Sequence, residues 1–167
     1  CSMGGTVANN SSGARTFKYG ATRNFVLSID VILPTGEKVK IKRGENFLNN
    51  LEGSIKLGES QLLQFNIPDY QMPNIKHAAG YYSKPNLDLI DIFIGSEGTL
   101  GIISQIELKL IDLPANVLSM IIFFNDEENI FSFVDDVRSR SILKTDTINL
   151  REIEFFDENT LKLLIDE

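Results

Sequence analysis

Two stretches poor in side-chain bulk carry the chemistry of this sequence. One opens it: Ser2-Met3-Gly4-Gly5-Thr6-Val7-Ala8-Asn9-Asn10-Ser11-Ser12-Gly13. The other is Gly95-Ser96-Glu97-Gly98-Thr99-Leu100-Gly101-Ile102-Ile103, with three glycines in seven residues. Where no Cβ intervenes, backbone can approach a ligand closely. Its N–H groups can then point at phosphate or carbonyl oxygens, and Asn and Ser side chains add further donors and acceptors. Glycine-rich bends in general are more often tight structural turns. Two of them in one chain favour a polar ligand. A low-complexity linker is the competing reading of the first stretch, and the embedded Val7, Phe17, Tyr19 and Phe25, in non-repetitive order, count against it.

Other residues capable of chemistry are few. His77 is the single histidine. Histidine is the natural acid–base and metal residue, but the sequence has no second histidine to complete a metal cluster, and a loop histidine is the more frequent outcome. Arg15, Lys18 and Arg23 form a small basic cluster, expected to pair with acidic residues inside the domain rather than to contact phosphate. The one cysteine, Cys1, rules out an internal disulfide, fits a reducing compartment and has no identifiable partner for nucleophilic work.

The elements that must position these stretches follow from periodicity. Phe25 to Leu33 alternates as a strand, with Phe25, Leu27, Ile29, Val31 and Leu33 on one face and Ser28 and Asp30 on the other. Pro34-Thr35-Gly36 is a turn signal. Val39 and Ile41 then alternate with Lys38, Lys40 and Lys42, completing a hairpin whose lysines face water. Residues 43–85 are weakly patterned and interrupted by Pro68, Pro73 and Pro85. Phe47, Leu48 and Leu51 suit a short helix; Leu62, Leu63, Phe65 and Ile67 suit a strand or a second short helix. After the apolar run 87–94 and the glycine stretch, Ile102, Ser104, Ile106, Leu108 and Leu110 alternate with Ile103, Gln105, Glu107 and Lys109 as a long strand. Asp112-Leu113-Pro114 ends it and marks a domain boundary. Beyond it the expectation is a buried strand over Val117 to Phe124, then a helix capped by Asn125 or Asp126 with Ile130, Phe133, Val134 and Val137 on its apolar face. A strand over Ile148 to Phe156 and a last helix capped by Asp157, carrying Leu161, Leu164 and Ile165, complete the pattern.

Bulk properties bound the function. At 167 residues the chain is long enough for one domain, or one and a part. Hydrophobic residues make up 43%, as in ordinary globular proteins, and no apolar run is long enough to span a bilayer. The formal net charge is −7 with no long basic patch, which speaks against binding nucleic acid or anionic membranes. Acidity does not oppose a pyrophosphate ligand held by backbone amides. A dinucleotide-binding strand–loop–helix fingerprint is not matched, because the second glycine stretch enters a strand.

The order GGTVANNSSGARTFKYGATRNFVL, followed by GSEGTLGII, resembles the second half of the FAD-binding domain of FAD-linked oxidases, the vanillyl-alcohol-oxidase or PCMH-type flavoproteins. The subgroup with D-lactate dehydrogenase and the glycolate oxidase flavin subunit fits best. Lys76-His77-Ala78-Ala79-Gly80-Tyr81 is similar to a further segment of that subgroup, with Tyr82 where Asn is usual. The resemblance implies an α+β fold: residues 1–113 as the C-terminal half of the FAD-binding domain, mostly antiparallel sheet with short helices. Residues 114–167 would begin a substrate-binding α/β cap as its first β-α-β-α.

By resemblance the cofactor is FAD, held covalently or non-covalently. Gly4, Gly5, Ala8, Asn9, Asn10, Ser11, Glu97, Gly98, Thr99, Leu100, Gly101, Ile102 and Ile103 would contact it, largely through main chain. The substrate implied is a D-2-hydroxy acid such as lactate or glycolate, which would lose hydride to flavin N5 and a proton to a base. The catalytic and metal residues of the subgroup fall outside this chain, as does the other glycine-rich pyrophosphate loop. Hence the chain alone is expected to be inactive, to hold FAD weakly or not at all, and to self-associate through apolar surfaces. A cytoplasmic or membrane-peripheral location and an unidentified electron acceptor go with this reading. The rival is a non-catalytic binding or assembly module derived from a flavoprotein.

Overall fold

The hairpin read from the alternation around Pro34-Thr35-Gly36 is the centre of the first of two compact units. The computed structural model describes residues 1–143 and 149–165. Unit one comprises Cys1–Ser12 with Ala21–Asp112, and unit two comprises Gly13–Gly20 with Leu113–Glu167.

In unit one, β1 (Val26–Ile32) and β2 (Lys38–Lys42) pair antiparallel with Ile29 opposite Ile41 and Val31 opposite Val39. The turn closes as expected: the Gly36 N–H donates to the Leu33 carbonyl at 2.9 Å, with φ +95 at Gly36. Val39 and Ile41 are buried and the three lysines exposed. β5 (Ile102–Leu108) pairs antiparallel with the other side of β1, giving the order β2-β1-β5.

Two register shifts between β1 and β5 change the faces expected from strict alternation. Val26 faces Leu108 and Ser28 faces Glu107, so Leu27 is an extra residue, and it is exposed rather than inward. Asp30 faces Gln105 and Val31 faces Ile103, so Ser104 is the extra residue in β5. A bulge shifts every later side chain to the other face. Ile103, Ile106 and Leu108 therefore pack on the core, and Ile102 is left outside. The Ser28 hydroxyl donates to the Glu107 carboxylate at 2.8 Å across the first shift.

Residues 46–51 do not form the expected helix. Residues 46–49 run extended beside 86–89, with Leu48 N–H donating to the Leu87 carbonyl and Leu89 N–H to the Asn46 carbonyl, both at 2.8 Å. Asn50 and Leu51 turn the chain, Asn50 with φ +55. Leu48 is buried there and Leu51 half-buried, whereas Phe47 is exposed; backbone pairing with residues 86–89 overrides a weak local helical pattern. The weakly patterned segment also holds a second hairpin, β3 (Glu52–Leu57) with β4 (Gln61–Asn66), so the strand alternative for Leu62 to Phe65 is the one adopted. The run Leu87–Ile94 is buried throughout and includes the short helix α3 (Ile90–Phe93). It joins Val7, Ile29, Val31, Val39 and Ile41 in one hydrophobic cluster.

The opening stretch is not a bend without regular structure. Met3–Ala8 forms helix α1, with Val7 fully buried. In unit two, Thr16–Tyr19 forms α2, Glu127–Leu143 forms α4 and Glu158–Ile165 forms α5. Asp126 caps α4, its carboxylate accepting the Asn129 N–H at 2.8 Å, and Ile130, Phe133, Val134 and Val137 are half-buried on one face. Asp157 caps α5, accepting the Thr160 N–H at 2.7 Å. Arg15 pairs with Glu152 at 3.3 Å, the kind of acidic partner expected for it.

The two helices of the expected β-α-β-α order are thus present. Its strands are not formed among the described residues: 117–124 and 149–156 carry no ladder. Leu118 and Ile121 are 81% and 84% exposed, so 117–124 is not a buried strand. A strand needs a neighbour for its ladder hydrogen bonds, and an apolar run alone does not supply one. Ile148, and the side chains of Leu164 and Ile165, lie outside the described residues.

Candidate functional site

Helix α1 delivers the first glycine stretch. Ser2 is its N-cap, with Oγ accepting the Gly5 N–H at 3.1 Å. Its other end is a Schellman motif. Asn10 N–H donates to the Val7 carbonyl at 3.0 Å and Ser11 N–H to the Thr6 carbonyl at 2.9 Å. Asn10 takes the left-handed position with φ +46, which Asn tolerates better than most residues. Helix ends leave carbonyls without intrahelical partners. Here Gly95 N–H donates to the Val7 carbonyl at 3.1 Å and Glu97 N–H to the Ala8 carbonyl at 2.9 Å. The two glycine-bearing stretches, some ninety positions apart, are therefore joined backbone to backbone.

The second stretch leaves buried α3 through a series of capped carbonyls. Ser96 donates to the Phe93 carbonyl through both its N–H at 3.3 Å and its hydroxyl at 2.8 Å. The Arg23 guanidinium donates to the carbonyls of Asp91 at 2.5 Å and Ile94 at 2.6 Å, and to the Asp91 carboxylate at 3.0 Å. Arg23's own N–H is accepted by Asn10 Oδ1 at 3.0 Å. The Tyr82 ring lies 4.1 Å from the guanidinium carbon, close enough for a cation–π contact. Burial pushes the Arg23 pKa down from its ordinary value, and the Asp91 charge opposes that. Arg43 donates to both Asp91 oxygens, at 3.2 and 2.9 Å, and approaches Asp88 at 3.6 Å.

The three glycines of the second stretch serve different ends. A Cβ on Gly95 would stand 3.1 Å from the Asn10 Cβ, and one on Gly101 would stand 2.6 Å from a Val31 methyl and 2.7 Å from the Ile32 carbonyl oxygen. Those two are explained by packing within the chain. Gly98 has φ +78 and nothing within 4 Å of its Cβ direction, as has Gly4 on the other stretch apart from its ordinary φ. Among the described residues the Gly98 and Leu100 amides make no hydrogen bond to the protein.

The residues expected to contact a ligand separate accordingly. Asn9, Ser11, Glu97, Gly98, Thr99 and Ile102 are exposed; Gly4, Gly5, Ala8, Leu100 and Ile103 are half-buried; Asn10 and Gly101 are buried. Asn10 is an internal strut through Arg23. Sequence reasoning missed the Asp88–Asp91–Arg43 cluster. Its signal was available, since two carboxylates inside an apolar run require buried cations. Tyr81, noted only as part of the Lys76–Tyr81 segment, was not among the residues expected at the site. The Thr99 hydroxyl donates to the Ser96 carbonyl at 2.5 Å, so the 2.7 Å contact between Tyr81 Oη and Thr99 Oγ1 has Tyr81 as donor. His77, on the same segment, is half-buried, and its Nδ1 has no hydrogen-bond partner among the described residues. No group of three or more potential metal ligands occurs among the described residues, and no helix among them is long and apolar enough to cross a membrane.

Residues 26–32, 38–42 and 102–108 thus form an antiparallel sheet in an α+β unit that sets an open, glycine-edged rim. Residues 1–42 match the family described as an FAD binding domain. The chain is 34% identical over 132 residues to a D-lactate dehydrogenase of Anaerostipes hadrus, covering 79% of this chain and 20% of that protein. It is 27% identical over 164 residues to glycolate oxidase subunit GlcD of Bacillus subtilis, covering 98% of this chain and 26% of that protein. A D-2-hydroxyglutarate dehydrogenase of Stutzerimonas stutzeri is 26% identical over 159 residues, covering 95% and 25%. These matches support the FAD-linked oxidase family, with the lactate and glycolate subgroup, for a chain that spans between a fifth and about a quarter of these three relatives.

Proposed function

We propose that this chain supplies one wall of the FAD site of an oxidoreductase acting on a D-2-hydroxy acid. The observation that carries the reading is the pairing of Gly95 and Glu97 amides with the Val7 and Ala8 carbonyls. It brings both family stretches to one place and leaves Gly98 open and its amide unused. Main-chain donors beside an open glycine fit the phosphate and carbonyl oxygens of FAD, and do so without basic side chains. Asn9, Ser11, Glu97, Gly98 and Thr99 would line the cofactor, with Gly4, Gly5, Ala8, Leu100, Ile102 and Ile103 flanking them. Asn10 and Gly101 would hold the rim from beneath.

Bound FAD would supply the acceptor for the hydride removed from the hydroxyl-bearing carbon of the substrate. The part played by this chain's residues is binding and orientation: amides fixed by the fold need no reorganisation when the ligand arrives. Residues 1–113 would form the C-terminal half of the FAD-binding domain. Residues 114–167 would begin the cap, where 117–124 and 149–156 become strands when neighbours pair with them. Self-association through the exposed apolar run at 117–124 fits the same reading.

The test is expression of the complete reading frame, followed by flavin absorption and anaerobic titration with D-2-hydroxy acids of different chain length. Bleaching of a stoichiometric flavin band by one of them is the result expected. A colourless protein that takes up no added FAD overturns the reading.

A further inference from the structure

We propose that Arg23 is a positioning residue for the cofactor rim, setting the separation of its two backbone segments. The inference rests on the FAD reading above. Arg23 touches both segments at once. Its N–H is held by Asn10 Oδ1 at 3.0 Å, on the strut that ends α1. Its guanidinium holds the Ile94 carbonyl at 2.6 Å and the Asp91 carbonyl at 2.5 Å. Ile94 immediately precedes Gly95, whose N–H crosses to Val7. The Ile94 carbonyl and the Gly95 amide share one peptide plane, so the aim of the Gly95 amide is fixed from the guanidinium side.

The fit is close on every side. The Gly95 Cβ direction meets Asn10 Cβ at 3.1 Å and Arg23 Nη2 at 3.7 Å, so the three residues interlock. The Tyr82 ring covers the guanidinium at 4.1 Å. A planar fork can span two carbonyls and a carboxylate together, and a lysine ammonium cannot reproduce that geometry. Arg43 provides an internal contrast. It shares Asp91 and takes the Arg23 carbonyl at 3.0 Å, but among the described residues it makes no hydrogen bond to Ile94 or Asn10. An ion pair that merely stabilises the domain predicts equal consequences for the two arginines. A positioning role predicts unequal ones.

The experiment compares Arg23→Lys, Arg23→Met and Arg43→Met in the protein from the complete reading frame. FAD dissociation constants, the visible circular dichroism of bound flavin and melting temperatures are measured together. The Arg23 variants are expected to weaken FAD by about tenfold or more, the scale of a lost charge-assisted hydrogen bond, and to alter the flavin dichroism. Arg43→Met is expected to lower the melting temperature comparably while leaving affinity within about threefold. Should Arg23→Met not fold, Arg23→Lys carries the comparison. Equal losses of affinity for Arg43→Met and the Arg23 variants, or unchanged affinity and dichroism in Arg23→Lys, overturn the proposal while leaving the FAD reading intact. Absence of FAD binding in the unsubstituted protein overturns both.

Discussion

The Glu97 amide donates to the Ala8 carbonyl at 2.9 Å, and Glu97 does so with φ +54. The contact belongs to the backbone, so the carboxylate is dispensable to it. Glycine adopts this left-handed conformation without strain, whereas a β-branched residue does not. In the protein from the complete reading frame, Glu97→Gly is therefore expected to keep the melting temperature and flavin content near those of the unsubstituted protein. Glu97→Val should destabilise by about 1–2 kcal/mol and lose flavin. Denaturant unfolding with a flavin assay separates the two.

Gly98 and Gly101 should fail in different ways. A methyl on Gly101 would collide with β1 at 2.6 and 2.7 Å, so Gly101→Ala is expected to destabilise the β1–β5 pairing by about 2–4 kcal/mol. A methyl on Gly98 meets no atom of the chain within 4 Å, and its cost to folding is the φ strain, about 1–2 kcal/mol. Its larger effect is expected on FAD affinity, because the methyl projects from the open rim. Unfolding midpoints and FAD titrations on both variants of the protein from the complete reading frame check this, with stability dominating at Gly101 and affinity at Gly98.

Asp91 is 6% exposed and meets two arginines. Removing a carboxylate from such a cluster leaves cations buried without a counter-charge, which costs about 3–5 kcal/mol. Asp91→Ala should exceed Asp88→Ala in destabilisation. Asp88 makes a 2.7 Å hydrogen bond with the Gly44 N–H and only a 3.6 Å approach to Arg43. Urea midpoints of the two variants give the comparison directly.

What was legible in the residues was local. Pro34-Thr35-Gly36 with flanking alternation specified the β1–β2 hairpin and its wet lysines, because a turn and a period of two are both short-range properties. Asp126 and Asp157 were readable as caps for the same reason. The faces at Leu27 and Ile102 were not, since each bulge is set by pairing with a distant strand. Helix α1 was hidden by its glycines: its formation depends on the Ser2 cap and on Gly95 and Glu97 reaching its last carbonyls. The site's two stretches were conspicuous by composition, whereas the cluster beneath them was not. Arg23 was expected to pair with an acidic residue and does so with Asp91, but Arg43 and Asp91 are unremarkable until the fold brings all three within 3.0 Å of one another's polar atoms.

Asp157 gives a pH dependence confined to α5. The Thr160 side chain, and then its backbone N–H, lower the Asp157 pKa below the ordinary carboxylate value. A carboxyl group with a depressed folded-state pKa stabilises the charged, folded form. Its contribution is complete above the unfolded value of about 3.9 and disappears as pH falls through the lower folded value. Protection of the Thr160 amide from hydrogen exchange, corrected for the intrinsic rate, should therefore be constant above about pH 4 and fall below it. Asn is an equally good N-cap without a titrating group, so Asp157→Asn should retain protection and lose the acid step. Asp157→Ala should lose protection at every pH. An acid step that persists in Asp157→Asn would assign the titration to another group.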